Sequence, residues 1–204
     1  MIGIVDYGSG NIQAIKNIYK NLKLDCKFVS SPEDFDGITK IILPGVGAFD
    51  EAMTQLNESG MRAVLDSLVL NKKMPVLGVC VGMQIMAAGS DEGELPGLGW
   101  FDAHVKRFDA NKIEHKPKLP HMGWNEILPK SEHSIFKAVD LQKGFYFLHS
   151  FYFKCNDPSD VLAETFYGDI FHCAVHKKNI YGFQYHPEKS HSNGINLFRN
   201  FAEI

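Results

Sequence analysis

Cys80 stands between two glycines in Gly78-Val79-Cys80-Val81-Gly82, directly after the apolar run at 74–79. A G-x-C-x-G turn from strand to helix is the thiol form of a nucleophile elbow, a turn that holds its side chain clear of the backbone for attack. The pattern also suits a small buried hydrophobe among turn glycines. The thiolate is the nucleophile, and a free cysteine has a pKa of about 8.5, so the elbow needs help. The helix expected after Cys80 gives some, by pointing unpaired N–H groups and its positive end at the sulfur. A base gives more. Of nine histidines, His186 in GFQYHPE has the most suggestive setting. It closes an apolar strand, and Pro187 ends the ladder there. Glu188, two residues on, can accept the ring N–H and fix the tautomer, the role of a third triad member. A strand-end histidine alone is more often structural; together with an elbow cysteine it reads as a base.

Two more features would complete a site. Pro44-Gly45-Val46-Gly47 ends a strand expected to neighbour the elbow strand, and its glycines let backbone N–H groups approach a ligand closely. With the N–H of Val81, this segment could form an oxyanion hole; an ordinary strand-to-helix turn reads the same way. Gln84 follows Cys80 by four residues, so the two share a face of the new helix, where a carboxamide could bind a polar substrate.

The elements that must hold these groups alternate in the first half. A strand in MIGIVDYG is followed by a helical stripe over 11–22, strands at Cys26–Val29 and 40–43, helix over roughly 49–70 broken near Ser59-Gly60, and the elbow strand. Strands that are apolar throughout and joined by helices predict a parallel sheet covered on both faces. In the second half, strands are expected at 100–108, 145–153, Val161–Tyr167, 171–176 and 180–185. A last helix is expected over 192–201, with Ile195, Phe198 and Phe201 on one side. No repeat or linker interrupts the chain, so a single α/β domain over residues 1–204, built on a mixed, mostly parallel central sheet with helices on both faces, is predicted.

Composition excludes several classes. With 45% hydrophobic and 22% charged residues and a net charge of -3, the chain has no basic excess for nucleic acid. No apolar stretch approaches the roughly 18 residues of a membrane span, and MIGIVDYG reads as a first strand rather than a signal peptide. Cys26, Cys80, Cys155 and Cys173 lack paired metal spacing and are read as reduced thiols in the cytoplasm. The pairs His172/His176 and His186/His191 lack a third ligand at useful spacing, so no metal is expected. The GSGN turn has Gln13 where a dinucleotide fingerprint needs its third glycine, and no other cofactor motif is present.

In order along the chain, LPGVGAF, GVCVGMQ and FQYHPE resemble the three signatures of the class I, triad-type glutamine amidotransferases. DYGSGN, PHMGWN and FYFLHSF narrow the resemblance to the glutaminase subunits of imidazole glycerol phosphate synthases, over essentially the whole chain. Val81 stands where leucine is more usual and Phe151 where tyrosine is common; neither change removes a catalytic group. The resemblance implies Cys80, His186 and Glu188 as triad. It implies an oxyanion hole from Gly45, Val46, Gly47 and Val81, and glutamine held by Gln84 and the backbone at Ser150 and Phe151. It also implies a (β/α)₈ cyclase partner in a heterodimer, with Gly10, Asn11 and Trp124 as candidate docking residues, and a lone subunit nearly inactive until the synthase is loaded. Trp124 could equally be core. A paralogous glutaminase feeding a sugar amidotransferase of surface-polysaccharide assembly carries the same motifs. A cysteine α/β-hydrolase fits less well, because its acid normally lies between nucleophile and histidine. A non-catalytic adaptor would have no need of all three triad residues.

Overall fold

The computed structural model describes residues 1–114 and 116–204. In chain order the elements are β1 (Ile2–Val5), α1 (Ile12–Asn21), β2 (Cys26–Val29), β3 (Lys40–Gly45), α2 (Phe49–Glu58), α3 (Arg62–Asp66), β4 (Val76–Cys80), α4 (Val81–Gln84), β5 (Gly89–Ser90) and β6 (Ala103–Arg107). Then follow β7 (His121–Asn125), β8 (Leu128–Pro129), β9 (Phe145–His149), β10 (Phe151–Cys155), β11 (Val161–Tyr167), β12 (Asp169–Lys177), β13 (Ile180–Phe183) and α5 (His191–Glu203).

The large sheet runs β2-β1-β3-β4-β13-β12-β10-β6-β5, with β11 and β8 branching from β12. From β2 to β13 every pairing is parallel; from β13 through β12 and β10 to β6 every pairing is antiparallel. β1, β4 and β13 are buried at every position, as strands covered on both faces must be. α1 buries Ile15 and Tyr19, and the Tyr19 ring meets Phe198 of α5 edge-on at 5.5 Å. α5 turns Leu197, Phe198 and Phe201 inward, whereas Ile195, expected on that side, is 37% exposed. No helix among the described residues is long and apolar enough to cross a membrane.

The strand expected over 145–153 is two strands. β9 pairs with β7 in a separate two-stranded sheet, while β10 joins the large sheet beside β6, and the chain changes sheets at Ser150. Alternation of apolar residues continues across the break, so the pattern alone does not reveal it. The strand expected over 100–108 starts only at Ala103. Before it, the N–H groups of Leu98, Gly99, Trp100 and Phe101 are spent on the carbonyls of Ile85, Met86 and Ala87. Those carbonyls lie just beyond α4, which this segment caps after a single turn.

Candidate functional site

Parallel pairing of β3 with β4 sets Gly45 opposite Cys80, and pairing of β4 with β13 sets Gly78 opposite Gly182. The predicted neighbours are therefore adjacent, and His186 follows directly beyond β13. Cys80 itself has φ 54° and ψ −113°, a strained backbone for a residue with a Cβ, and this is how the elbow turns its sulfur out of the strand. Close packing explains the flanking glycines. A Cβ on Gly82 would come within 1.9 Å of the Leu43 carbonyl oxygen, and one on Gly78 within 2.7 Å of the Gly82 oxygen.

His186 Nδ1 donates to Glu188 Oε1 at 2.9 Å, with both side chains almost fully buried. The backbone holds this pair in place: the His186 N–H donates to the Tyr146 carbonyl of β9 at 2.8 Å, and the Ser190 hydroxyl donates to the His186 carbonyl at 2.6 Å. Burial would depress the imidazole, but hydrogen bonding to the Cys80 sulfur and to Glu188, with their charges, outweighs it and pushes its pKa up to about 10. The imidazole is thus held protonated beside the Cys80 sulfur, placed to hand a proton to a leaving group. α4, a four-residue turn, has too few aligned peptides to contribute the dipole that the sequence suggested, so the histidine carries the activation.

Cys80, His186, Val46, Gly47, Val81, Gln84, Ser150 and Phe151 line one cleft of about 270 Å³. A larger cavity of about 740 Å³ around His133 and Phe136 shares none of these residues. Two of the oxyanion candidates, Gly45 and Val46, are engaged elsewhere. Gly45 lies in β3 behind the elbow, where an added Cβ would meet the Gly82 nitrogen at 2.5 Å, so its part is close packing. The Val46 N–H donates to Ser9 Oγ at 2.9 Å, and the same hydroxyl donates back to the Val46 carbonyl at 2.8 Å, so this N–H is not aimed at the sulfur. Gln84 uses both amide hydrogens internally, on the Phe151 carbonyl at 3.1 Å and Gln184 Oε1 at 3.0 Å, leaving only its Oε1 for a ligand.

The structure adds lining residues that sequence reasoning missed. Glu92 reaches the cleft while accepting the Phe49 N–H at 2.9 Å, and Lys189 and His149 also line it. In Asp91-Glu92-Gly93-Glu94, Glu92 looks like part of a solvated acidic turn, and only the fold separates it from its neighbours. Of the docking candidates, Asn11 is exposed and Gly10 is wedged against Pro44. Trp124 is 43% exposed rather than core, stacked on His191 with the rings 5.5 Å apart and 5° from parallel. Met122 and Phe166, at 60% and 63% exposure, border the same depression as Trp124.

Residues 3–204 match the family described as glutamine amidotransferase class-I. Over 204 residues, spanning both chains completely, the sequence is 53% identical to imidazole glycerol phosphate synthase subunit HisH of Bdellovibrio bacteriovorus. It is 49% identical to the protein of the same name from Leptospira borgpetersenii, again over the whole of both chains. Among solved structures it is similar in fold to one described as a crystal structure of glutamine amidotransferase. The TM-score is 0.74 at 21% identity, covering 99% of this chain and 97% of that one.

Proposed function

The chain belongs to the class-I glutamine amidotransferase family, and we propose that it is the ammonia-producing subunit of an imidazole glycerol phosphate synthase. The observation that carries this reading is the buried Cys80–His186–Glu188 constellation at an elbow, in a chain whose full length matches synthase subunits at about half identity. The whole chain acts as a single glutaminase domain in the cytoplasm, where Cys80 stays reduced.

Glutamine enters the cleft with its side-chain amide at Cys80. The thiolate attacks the amide carbon, forming the C–S bond and placing negative charge on the carbonyl oxygen. Backbone N–H groups of Val81 and Gly47 meet that charge, joined by Val46 once Ser9 releases it. His186, steadied by Glu188, gives its proton to the amide nitrogen; the C–N bond breaks, ammonia leaves and a glutamyl thioester remains. The now neutral imidazole takes a proton from water, hydroxide opens the thioester, and glutamate departs as the imidazolium–thiolate pair re-forms. Glu92 complements the α-ammonium of glutamine by charge, while Gln84 Oε1 and the backbone at Ser150 and Phe151 hold its polar groups. The bond between Ser9 and Val46 gives a physical reason for low activity in the lone chain, since it withholds one oxyanion donor.

The acceptor is a (β/α)₈ cyclase, joined in a heterodimer through a face that includes Trp124. It uses the ammonia to make imidazole glycerol phosphate and aminoimidazole carboxamide ribotide. The test offers the chain both a histidine-pathway cyclase and a sugar amidotransferase. Glutamine-dependent product should form with the cyclase alone. Glutamine-dependent amination with the sugar enzyme and none with the cyclase would assign the chain to polysaccharide assembly instead.

A further inference from the structure

One wall of the cleft is made where the chain leaves the small sheet for the large one. β9 ends at His149, β10 begins at Phe151, and the Leu148 carbonyl lies 4.0 Å from Cys80 Sγ. A row of hydrogen bonds with a fixed direction holds this turn. The Phe151 carbonyl can only accept, so His149 Nδ1, 2.7 Å away, carries the proton. Burial first, and then the neighbouring His121, hold the His149 pKa well below the ordinary imidazole range, which leaves its Nε2 bare as an acceptor. His121 Nδ1 lies 3.0 Å from that nitrogen and therefore donates to it. Asn125 Nδ2 continues the series, 3.3 Å from His121 Nε2, and also donates to the Phe166 carbonyl at 2.9 Å. Packing fixes the middle ring: His121 stacks between Phe147 at 4.7 Å and Tyr167 at 4.1 Å, each 22° from parallel.

No step of the proposed hydrolysis needs either histidine, yet both are buried, and His149 lines the cleft together with Cys80. We propose that His149 and His121 are positioning residues for glutamine hydrolysis, fixing the 148–151 turn against Cys80 through a one-way hydrogen-bond series that ends on the Phe151 carbonyl. This rests on the glutaminase reading of the cleft. Gln84 donates to the same carbonyl, so the peptide after Phe151 is held from two sides, and the series begins on β7, the strand that also carries the exposed Trp124.

The test compares His121→Leu, which removes the donor to His149, with His121→Asn, whose amide N–H takes the place of Nδ1–H. Two electrophiles report on Cys80 in the assembled cyclase complex, with the labelled peptide identified by mass. Diazo-oxo-norleucine must first bind as glutamine does, whereas iodoacetamide needs only the thiolate. His121→Leu should slow labelling by the glutamine analogue roughly tenfold and raise KM for glutamine in the cyclase complex by a similar factor, the cost of one unpaired buried acceptor. Its iodoacetamide labelling should stay at the wild-type rate, and His121→Asn should remain within about twofold of wild type in both assays. Equal loss with both reagents would show a merely structural role and overturn the proposal. So would wild-type behaviour of His121→Leu, or an Asn variant as impaired as the Leu variant. A wild-type chain labelled by iodoacetamide but never by the analogue would sink the glutaminase reading, and the positioning role with it.

Discussion

The parallel side of the large sheet and the antiparallel side with its small companion sheet each supply one wall of the cleft, by different means. On the parallel side, β3, β4 and α4 approach so closely that an added methyl at Gly82 has no room, and the strained Cys80 backbone is held by surrounding chain. On the other side, the 148–151 turn is held by side-chain hydrogen bonds from His149 and Gln84, and its supporting strand β7 carries an exposed Trp124. Close-packed backbone thus places Cys80, while side-chain hydrogen bonds place the opposite wall.

The sharpest break of this division is at the sulfur. Cys80→Ala should lower glutaminase activity by about 10⁴-fold or more while the assembled complex still makes product from added ammonia. Paired kinetic assays with glutamine and ammonia check this. Next in size, Gly82→Ala should destabilise the chain by on the order of 3 kcal/mol in urea unfolding, because its Cβ would press into the Leu43 carbonyl. On the substrate side, Trp124→Ala should weaken cyclase binding about tenfold by calorimetry with the melting temperature almost unchanged; a large melting loss with intact affinity would erase the contrast. Ser9→Ala should raise glutamine turnover of the lone chain by about an order of magnitude at most, by freeing the Val46 N–H as a donor.

A pH dependence is expected as well. The folded His186 pKa of about 10 lies above its ordinary 6.5, so its interactions stabilise the fold fully below 6.5 and lose that contribution as pH rises through about 10. Unfolding curves across this window should show the decline, and Glu188→Gln should flatten it.

The two sides were also unequally legible in the sequence. Continuous apolar runs and the glycines around Cys80 identified the parallel strands, the elbow and the neighbouring Pro44-Gly45 strand end, because close backbone approach demands small residues at fixed spacing. Cys80, His186 and Glu188 could be singled out because each sits at an element boundary with its own local signature. The break at Ser150 was invisible, since β9 and β10 share one alternating pattern across two sheets. Glu92 was hidden in an acidic turn, and the bond of the Val46 N–H to Ser9, 37 residues away, leaves no local trace. The pairing of His121 with His149, 28 residues apart, follows from the β7–β9 register, which no local pattern encodes.

One measurement bears directly on the paired thiolate and imidazole: acid quenching of the cyclase complex during turnover of isotope-labelled glutamine, followed by peptide mass analysis. A glutamyl adduct on the peptide containing Cys80 is expected, formed and discharged at the rate of turnover. Glutamate accumulating with no adduct there, and at an undiminished rate in Cys80→Ala, would contradict it.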